Sequence, residues 1–290
     1  MVVAACARRG DLPAGPAATP GSPTPALPTT PPACADGWDC DQVERFAAAE
    51  AHLDRQPGRL GIVVRDRVTG ATWRAGDVDG RYWAGSTPKL AMAVALRDEA
   101  RAGRITLDPA AQRRIAAMLS VSDNRAADAL WDSFGDRATW LERLRRCGLT
   151  SSGYVDGFPR RWGFVKSTPA DLAALMAYVL ERAHPDDREY IVDAMRSVGP
   201  VQRWGVWGAG RRLRPGVKNG WSIEREQGRD IWITATVGFV GPEERYVVAA
   251  MYHQPPRGGR IDRGVHALTD LVALVFGAPV PAPAVVPRDY

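Results

Sequence analysis

The run Gly85-Ser86-Thr87-Pro88-Lys89-Leu90-Ala91-Met92-Ala93-Val94-Ala95-Leu96 decides how this chain is read. Proline loses nothing in a first helical turn, where its missing N–H would have had no partner, and the apolar residues after Lys89 supply a buried helix. Ser86 then sits at or beside the helix N-terminus, and Lys89 lies one turn on along the same face. Helix-end N–H groups stabilise negative charge developing there, and a partly desolvated amine one turn away can take the hydroxyl proton. A serine N-cap followed by an ordinary helical lysine spells the same letters, so support has to come from elsewhere in the chain.

Composition provides it. Among 38 basic residues only Lys89, Lys166 and Lys218 are lysines, and Asn124 and Asn219 are the only asparagines. Arginine cannot act as a neutral amine base, so a lysine in an arginine-rich chain marks a position worth inspecting. Two further motifs hold the rest of this rare set. Ser122-Asp123-Asn124 opens a helical stretch ending at Trp131, and Lys218-Asn219-Gly220 lies in a strand-like run that continues Trp221-Ser222-Ile223. Glycine weakens a strand unless something must approach its backbone closely. Together the three motifs contain two of the three lysines and both asparagines.

Outward from these motifs, residues 1–36 are dominated by Pro, Ala, Thr and Gly and read as a flexible linker. Val3-Ala4-Ala5-Cys6 resembles a bacterial lipobox, whose cysteine carries lipid. A complete signal needs a charged region and an apolar stretch upstream, so the expectation is a start codon further upstream. Cys34 and Cys40 are close enough to close a small disulfide loop, which with Cys147 alone suits an oxidising extracytoplasmic compartment. His52, His184, His253 and His266 are scattered singly and no CxxC occurs, so neither a metal nor another cofactor is expected.

The 45% hydrophobic and 24% charged content is that of a globular protein with a sizeable core. No apolar run reaches the length of a membrane-spanning helix. The net charge of +5 comes from scattered arginines, which gives nucleic-acid binding no footing. Apolar spacing predicts a helix over 41–54, strands over 60–66 and 71–75, helices near 87–101, 109–119, 124–133, 137–146 and 169–183, strands over 214–223, 230–240 and 245–252, and a helix over 262–276. Strands at both ends of the chain with helices between them imply an α/β fold, in which an antiparallel sheet joins the first and last strands beside an inserted all-helical lobe. The site is expected at their seam, within a domain over 37–277 followed by a Pro-rich tail over 278–290.

The order S-x-x-K, S-D-N and a K-T-G-like triplet resembles the class A β-lactamase and penicillin-binding superfamily of serine acyl-enzymes. Thr168-Pro169-Ala170-Asp171-Leu172-Ala173 also resembles that family's T-P-x-D-L-A helix start. The resemblance implies Ser86 as nucleophile, Lys89 as its proton acceptor and Ser122 as the shuttle to the leaving nitrogen. It implies Asn124 as a contact to substrate and Lys89, Lys218 and Arg229 as charges for a substrate carboxylate, and the amides of Ser86 and Trp221 as an oxyanion hole. Trp83, Trp162, Trp204, Trp207 and Trp221 fall in segments near the expected cleft; most are expected in the core, and Trp221, amphipathic beside a wet polar site, is expected to border substrate.

Three departures qualify the likeness. Asn219 replaces the family's Thr or Ser, keeping a hydrogen-bonding amide beside Gly220 but no relay for a proton. The first two motifs are closer together than the family norm, which opens one cleft wall. The stretch 148–168 has no E-x-x-L-N, so the family's deacylating Glu has no counterpart other than Asp156. The expectation is therefore a monomeric, extracytoplasmic serine hydrolase, secreted or lipid-anchored, that acts on a small β-lactam or cell-wall-peptide-like substrate with weak deacylation. A penicillin-binding protein or D,D-peptidase, an esterase, and a non-catalytic cell-wall-binding lipoprotein are the alternatives.

Overall fold

Val247, Ala249 and Met251 pack on one side of the sheet and Val248, Ala250 and Tyr252 on the other, and all six are fully buried. A strand covered on both faces belongs in the middle of a sheet between two layers. In the computed structural model, which describes residues 33–135 and 137–288, the strands are β1 (Ala33–Ala35), β2 (Trp38–Asp39), β3 (Arg59–Asp66), β4 (Thr72–Gly76), β5 (Tyr82–Trp83), β6 (Gly153–Tyr154), β7 (Val165–Ser167), β8 (Gly216–Glu226), β9 (Arg229–Val240) and β10 (Tyr246–His253). The main sheet runs β4-β3-β10-β9-β8, entirely antiparallel, so the last strand of the chain pairs with the first long one from Tyr246↔Asp66 to His253↔Arg59. This is the expected joining of the two chain ends in one sheet.

Helices α1 (Cys40–Asp54) and α8 (Ile261–Val275) cover one face through Phe46, Ala49, Leu268, Leu271 and Val272. Asp39 caps α1 by accepting the Gln42 N–H at 2.7 Å. The other face carries the inserted lobe of α2 (Pro88–Arg101), α3 (Pro109–Ser120), α4 (Asn124–Ser133), α5 (Arg137–Arg146), α6 (Pro169–Glu181) and α7 (Pro185–Arg196). Every residue from Pro88 to Leu96 is buried, as the apolar run requires.

Four differences from the sequence expectation have local causes. Helix α7 is absent from the apolar spacing, because only Ile191, Val192 and Met195 of its apolar positions are buried among many charges. A small sheet, β5-β7-β6, is built of strands too short to show an alternation. The β1–β2 hairpin, pairing Ala33 with Asp39 and Ala35 with Trp38, gives residues 33–35 of the expected linker a strand ahead of α1. Cys34 and Cys40 are neighbours there, exposed and carrying free thiols where a disulfide is expected, and hydrogen bonding to Cys34 raises the Cys40 pKa. Cys6 and most of the linker lie outside the described residues. The Pro-rich tail docks on the body, with the Ala282 N–H donating to Asp270 at 2.7 Å and Ala282 itself buried.

Candidate active site

The turn into α2 is pressed against β8. Gly85 has φ +53°, and a Cβ there would stand 2.9 Å from the Trp221 nitrogen. A Cβ on Gly220 would stand 2.5 Å from the Ser86 nitrogen and 3.1 Å from that of Thr87. Only two glycines let these backbones meet, and their meeting brings the Ser86 and Trp221 amides to the N-terminal end of α2, where the helix dipole adds to any anion-stabilising effect. Ser86 is partly exposed, and its hydroxyl has no hydrogen-bond partner among the described residues.

Beneath it, Lys89 is completely buried and has three oxygens around its Nζ: Ser122 O at 2.6 Å, Asn124 Oδ1 at 2.6 Å and Ser122 Oγ at 3.2 Å. The loop before α4 makes this possible. Asp123 caps the helix by accepting the Ala126 N–H, Asn124 becomes its first residue, and Ser122 takes a left-handed conformation, φ 62°, that turns both its carbonyl and its hydroxyl to the amine. Such a conformation is costly for serine and survives where surrounding contacts fix it. From the other side Lys218 Nζ donates to Ser122 Oγ at 3.0 Å and to Asn219 O at 2.7 Å. The Ser122 hydroxyl thus bridges two amines.

Burial pushes Lys89 down to about 7, against smaller upward pulls from Asp123 and Asp128. Burial and the neighbouring Lys89 charge hold Lys218 well below the lysine range. Two ammonium groups cannot both be comfortable in one dry pocket, so an anion entering it would be met by restored charge on Lys218.

The structure brings together Lys89, Ser122, Asn124 and Lys218, with the backbones of Ser86, Gly220 and Trp221 beside them. Four expectations need correction. Asn219 faces away from Lys218, because successive strand residues point to opposite faces; its amide is fully buried and donates to Gln202 O at 2.9 Å and Trp204 O at 3.2 Å. The Trp221 ring lies on that same face, edge-on to Trp204 at 6.0 Å, so only its backbone meets the α2 turn. Arg229 is at the far end of the β8–β9 hairpin, opposite Glu226, whereas Thr234 is the partner of Trp221; five residues of strand, about 17 Å, separate them. Asp156 is exposed and makes no side-chain hydrogen bond among the described residues.

Trp162, one of the tryptophans expected near the cleft, has a position the sequence did not specify. The loop 155–164 between β6 and β7, closed by Val155 N–H to Phe164 O at 3.1 Å, sets the Trp162 ring over Lys89 Nζ at 4.3 Å from its centroid. Its Nε1 donates to Asp128 at 2.9 Å, and Arg161 holds the same carboxylate. A ring therefore stands over the amine, and no carboxylate hydrogen-bonds Lys89 among the described residues. The two carboxylates whose charge acts on it bond elsewhere, Asp123 to its cap and Asp128 to Trp162 and Arg161. Lys166, the third lysine, pairs with Glu226 at 2.7 Å, and Glu226 also accepts from Trp83 Nε1.

A five-stranded antiparallel sheet with a helical lobe and a serine-lysine cluster at their seam defines the fold of the class A β-lactamases. The chain is similar to an ancestral (GNCA) class A β-lactamase, with a TM-score of 0.67 and 22% identity over 81% of this chain and 99% of the other. It is similar to a β-lactamase from Xanthomonas campestris pv. campestris, with a TM-score of 0.66 and 21% identity over 82% and 98%. A third likeness is to PBP-A, with a TM-score of 0.65 and 22% identity over 81% and 95%.

Residues 110–277, more than half of the chain, match the profile of the Beta-lactamase enzyme family, and the chain belongs to that family. The match takes in the second and third motifs and begins after Lys89. A relative named "Putative lipoprotein LppW", from Mycobacterium tuberculosis (strain ATCC 25618 / H37Rv), is 30% identical over 206 residues, 68% of this chain. The same holds for the protein of that name from Mycobacterium bovis. The matched region spans 63% of the length of these relatives.

Proposed function

We propose that this protein is an extracytoplasmic serine hydrolase that acylates Ser86 with β-lactams or related carboxylate-bearing amides and esters and deacylates slowly. The observation that carries the reading is the Lys89–Ser122–Lys218 bridge beside the Ser86 and Trp221 amides. In acylation the neutral Lys89 amine accepts the Ser86 hydroxyl proton as Oγ attacks the carbonyl carbon. The two backbone N–H groups hold the oxyanion, a donor pair in which each member contributes about 3 to 4 kcal/mol in well-studied cases. As the tetrahedral intermediate collapses, the Ser122 hydroxyl gives its proton to the leaving nitrogen and recovers one from Lys89. Lys218 receives the substrate carboxylate.

Deacylation needs a base for water on the far side of the ester, and the residue over Lys89 is an indole. That favours a long-lived acyl-enzyme, the behaviour of a penicillin-binding protein, over rapid lactam turnover.

The test is intact-mass analysis after exposure to a reactive penicillin, beside a turnover assay with a chromogenic cephalosporin. The expected result is one stable adduct, absent in Ser86→Ala, with turnover far slower than adduct formation. Labelling that persists in Ser86→Ala would remove Ser86 as nucleophile, and rapid turnover would overturn the slow-deacylation part. The lipobox-like Val3–Cys6 and the lipoprotein name of the relatives support a lipid-anchored location outside the cytoplasm.

A further inference from the structure

At the Arg229 end of the sheet, away from the lysine cluster, lies a cavity of about 770 Å³. Arg59, Arg81, Arg229, Glu226 and His253 are among its walls. Its charges do not balance. Glu226 is taken by Lys166 at 2.7 Å and by Trp83 Nε1 at 2.7 Å. Arg59 donates to Arg81 O at 2.6 Å and reaches a carboxylate, that of Asp77, only at 3.4 Å. Arg81 has one guanidinium hydrogen bond, to Gly153 O at 3.3 Å, and the Arg229 guanidinium has none among the described residues.

His253 sharpens this excess of donors. It is 5% exposed, and its Nε2 lies 2.8 Å from the Trp83 backbone nitrogen. A backbone N–H can only donate, so Nε2 must be the unprotonated nitrogen, and the proton of the neutral ring is on Nδ1. Burial, with the charges of Arg59 and Lys166, keeps that ring neutral. The neighbour of Nδ1 is Arg59 NH2 at 3.2 Å, which has protons and no lone pair. The Nδ1–H of a buried ring therefore faces another donor, one that itself donates to Arg81 O, and lacks an acceptor of its own at the cavity wall, which a bound anion would supply.

We propose that this cavity is a second ligand site, which binds an oxyanion, carboxylate or phosphate, carried by a molecule large enough to fill it. One anionic oxygen satisfies the His253 Nδ1–H and Arg59 together, and the forks of Arg81 and Arg229 match a second oxygen of either group. The inference is independent of the acyl-serine reading, because none of these residues contacts the lysine cluster.

The experiment titrates the full chain with inorganic phosphate and, separately, with glutarate at low ionic strength. Binding is followed by the ring-nitrogen resonances of His253 and by calorimetry. The expected result is a saturable shift at Nδ1 with at least one anion, and affinity at least tenfold weaker in an Arg81→Gln/Arg229→Gln variant of unchanged melting temperature. Ser86→Ala should titrate like the parent. Phosphate alone identifies a phosphoryl ligand, and glutarate alone a carboxylate ligand. Absence of a saturable shift with both overturns the proposal, as does binding that the variant leaves unchanged. If the double variant fails to fold, Arg229→Gln alone, an exposed and unpaired side chain, decides in the same way.

Discussion

Lys89 is where residue chemistry governs rate. A base must be neutral to accept a proton, and with a pKa of about 7 half of the amine is neutral at pH 7. Below that value the neutral fraction falls tenfold per pH unit, so acylation should be about fifty-fold slower at pH 5 than at pH 7 and level off above pH 8. Stopped-flow acylation across pH reads this directly, and a flat profile would exclude Lys89 as the base. Trp162 acts on the same titration in two senses. Its ring excludes water, which disfavours the ammonium, and offers its π face, which favours the ammonium by about 0.5 to 2 kcal/mol. Since burial is the larger cause of the low value, exclusion wins. Trp162→Ala should move the inflection upward by about one unit, whereas Trp162→Phe, which keeps a ring and loses the bond to Asp128, should leave it near 7. The inflection of the acylation profile is the measurement, and an unmoved one in Trp162→Ala would remove the positioning role.

At the scale of elements, the contact between β8 and the α2 turn governs oxyanion stabilisation. Gly220→Ala puts a methyl group 2.5 Å from the Ser86 nitrogen, so strand and turn must part. Displacing one oxyanion donor is expected to slow acylation by about a hundred- to a thousand-fold. Gly163→Ala is the control, because a Cβ there meets nothing within 4 Å and φ is not left-handed. Acylation rates and melting temperatures of both variants make the comparison. Equal rates in the two would show that the backbone contact carries no catalytic weight. The same element explains Arg229. The β8–β9 hairpin runs five residues of β9 beyond the Thr234 partner of Trp221, which carries Arg229 to the second cavity.

For the whole molecule, Cys6 precedes a segment rich in proline and small residues. If Cys6 carries lipid, the expressed protein partitions to the detergent phase and Cys6→Ala releases it to the aqueous phase; an unmodified Cys6 in membrane-fraction mass spectrometry would end that proposal. The sequence by itself determined which chemical groups are present and the order of the elements that carry them. Scarce lysines and asparagines marked Lys89, Asn124 and Lys218, and apolar periodicity located the long strands and helices, because both signals are local. Tertiary structure alone decided which groups meet. Whether Asn219 faces substrate or Gln202 is set by the pleat of β8, where Arg229 falls is set by hairpin register, and what stands over Lys89 is set by the path of the loop 155–164. These are long-range matters of register and packing, fixed when distant segments bury one another's surfaces, and no short run of residues encodes them.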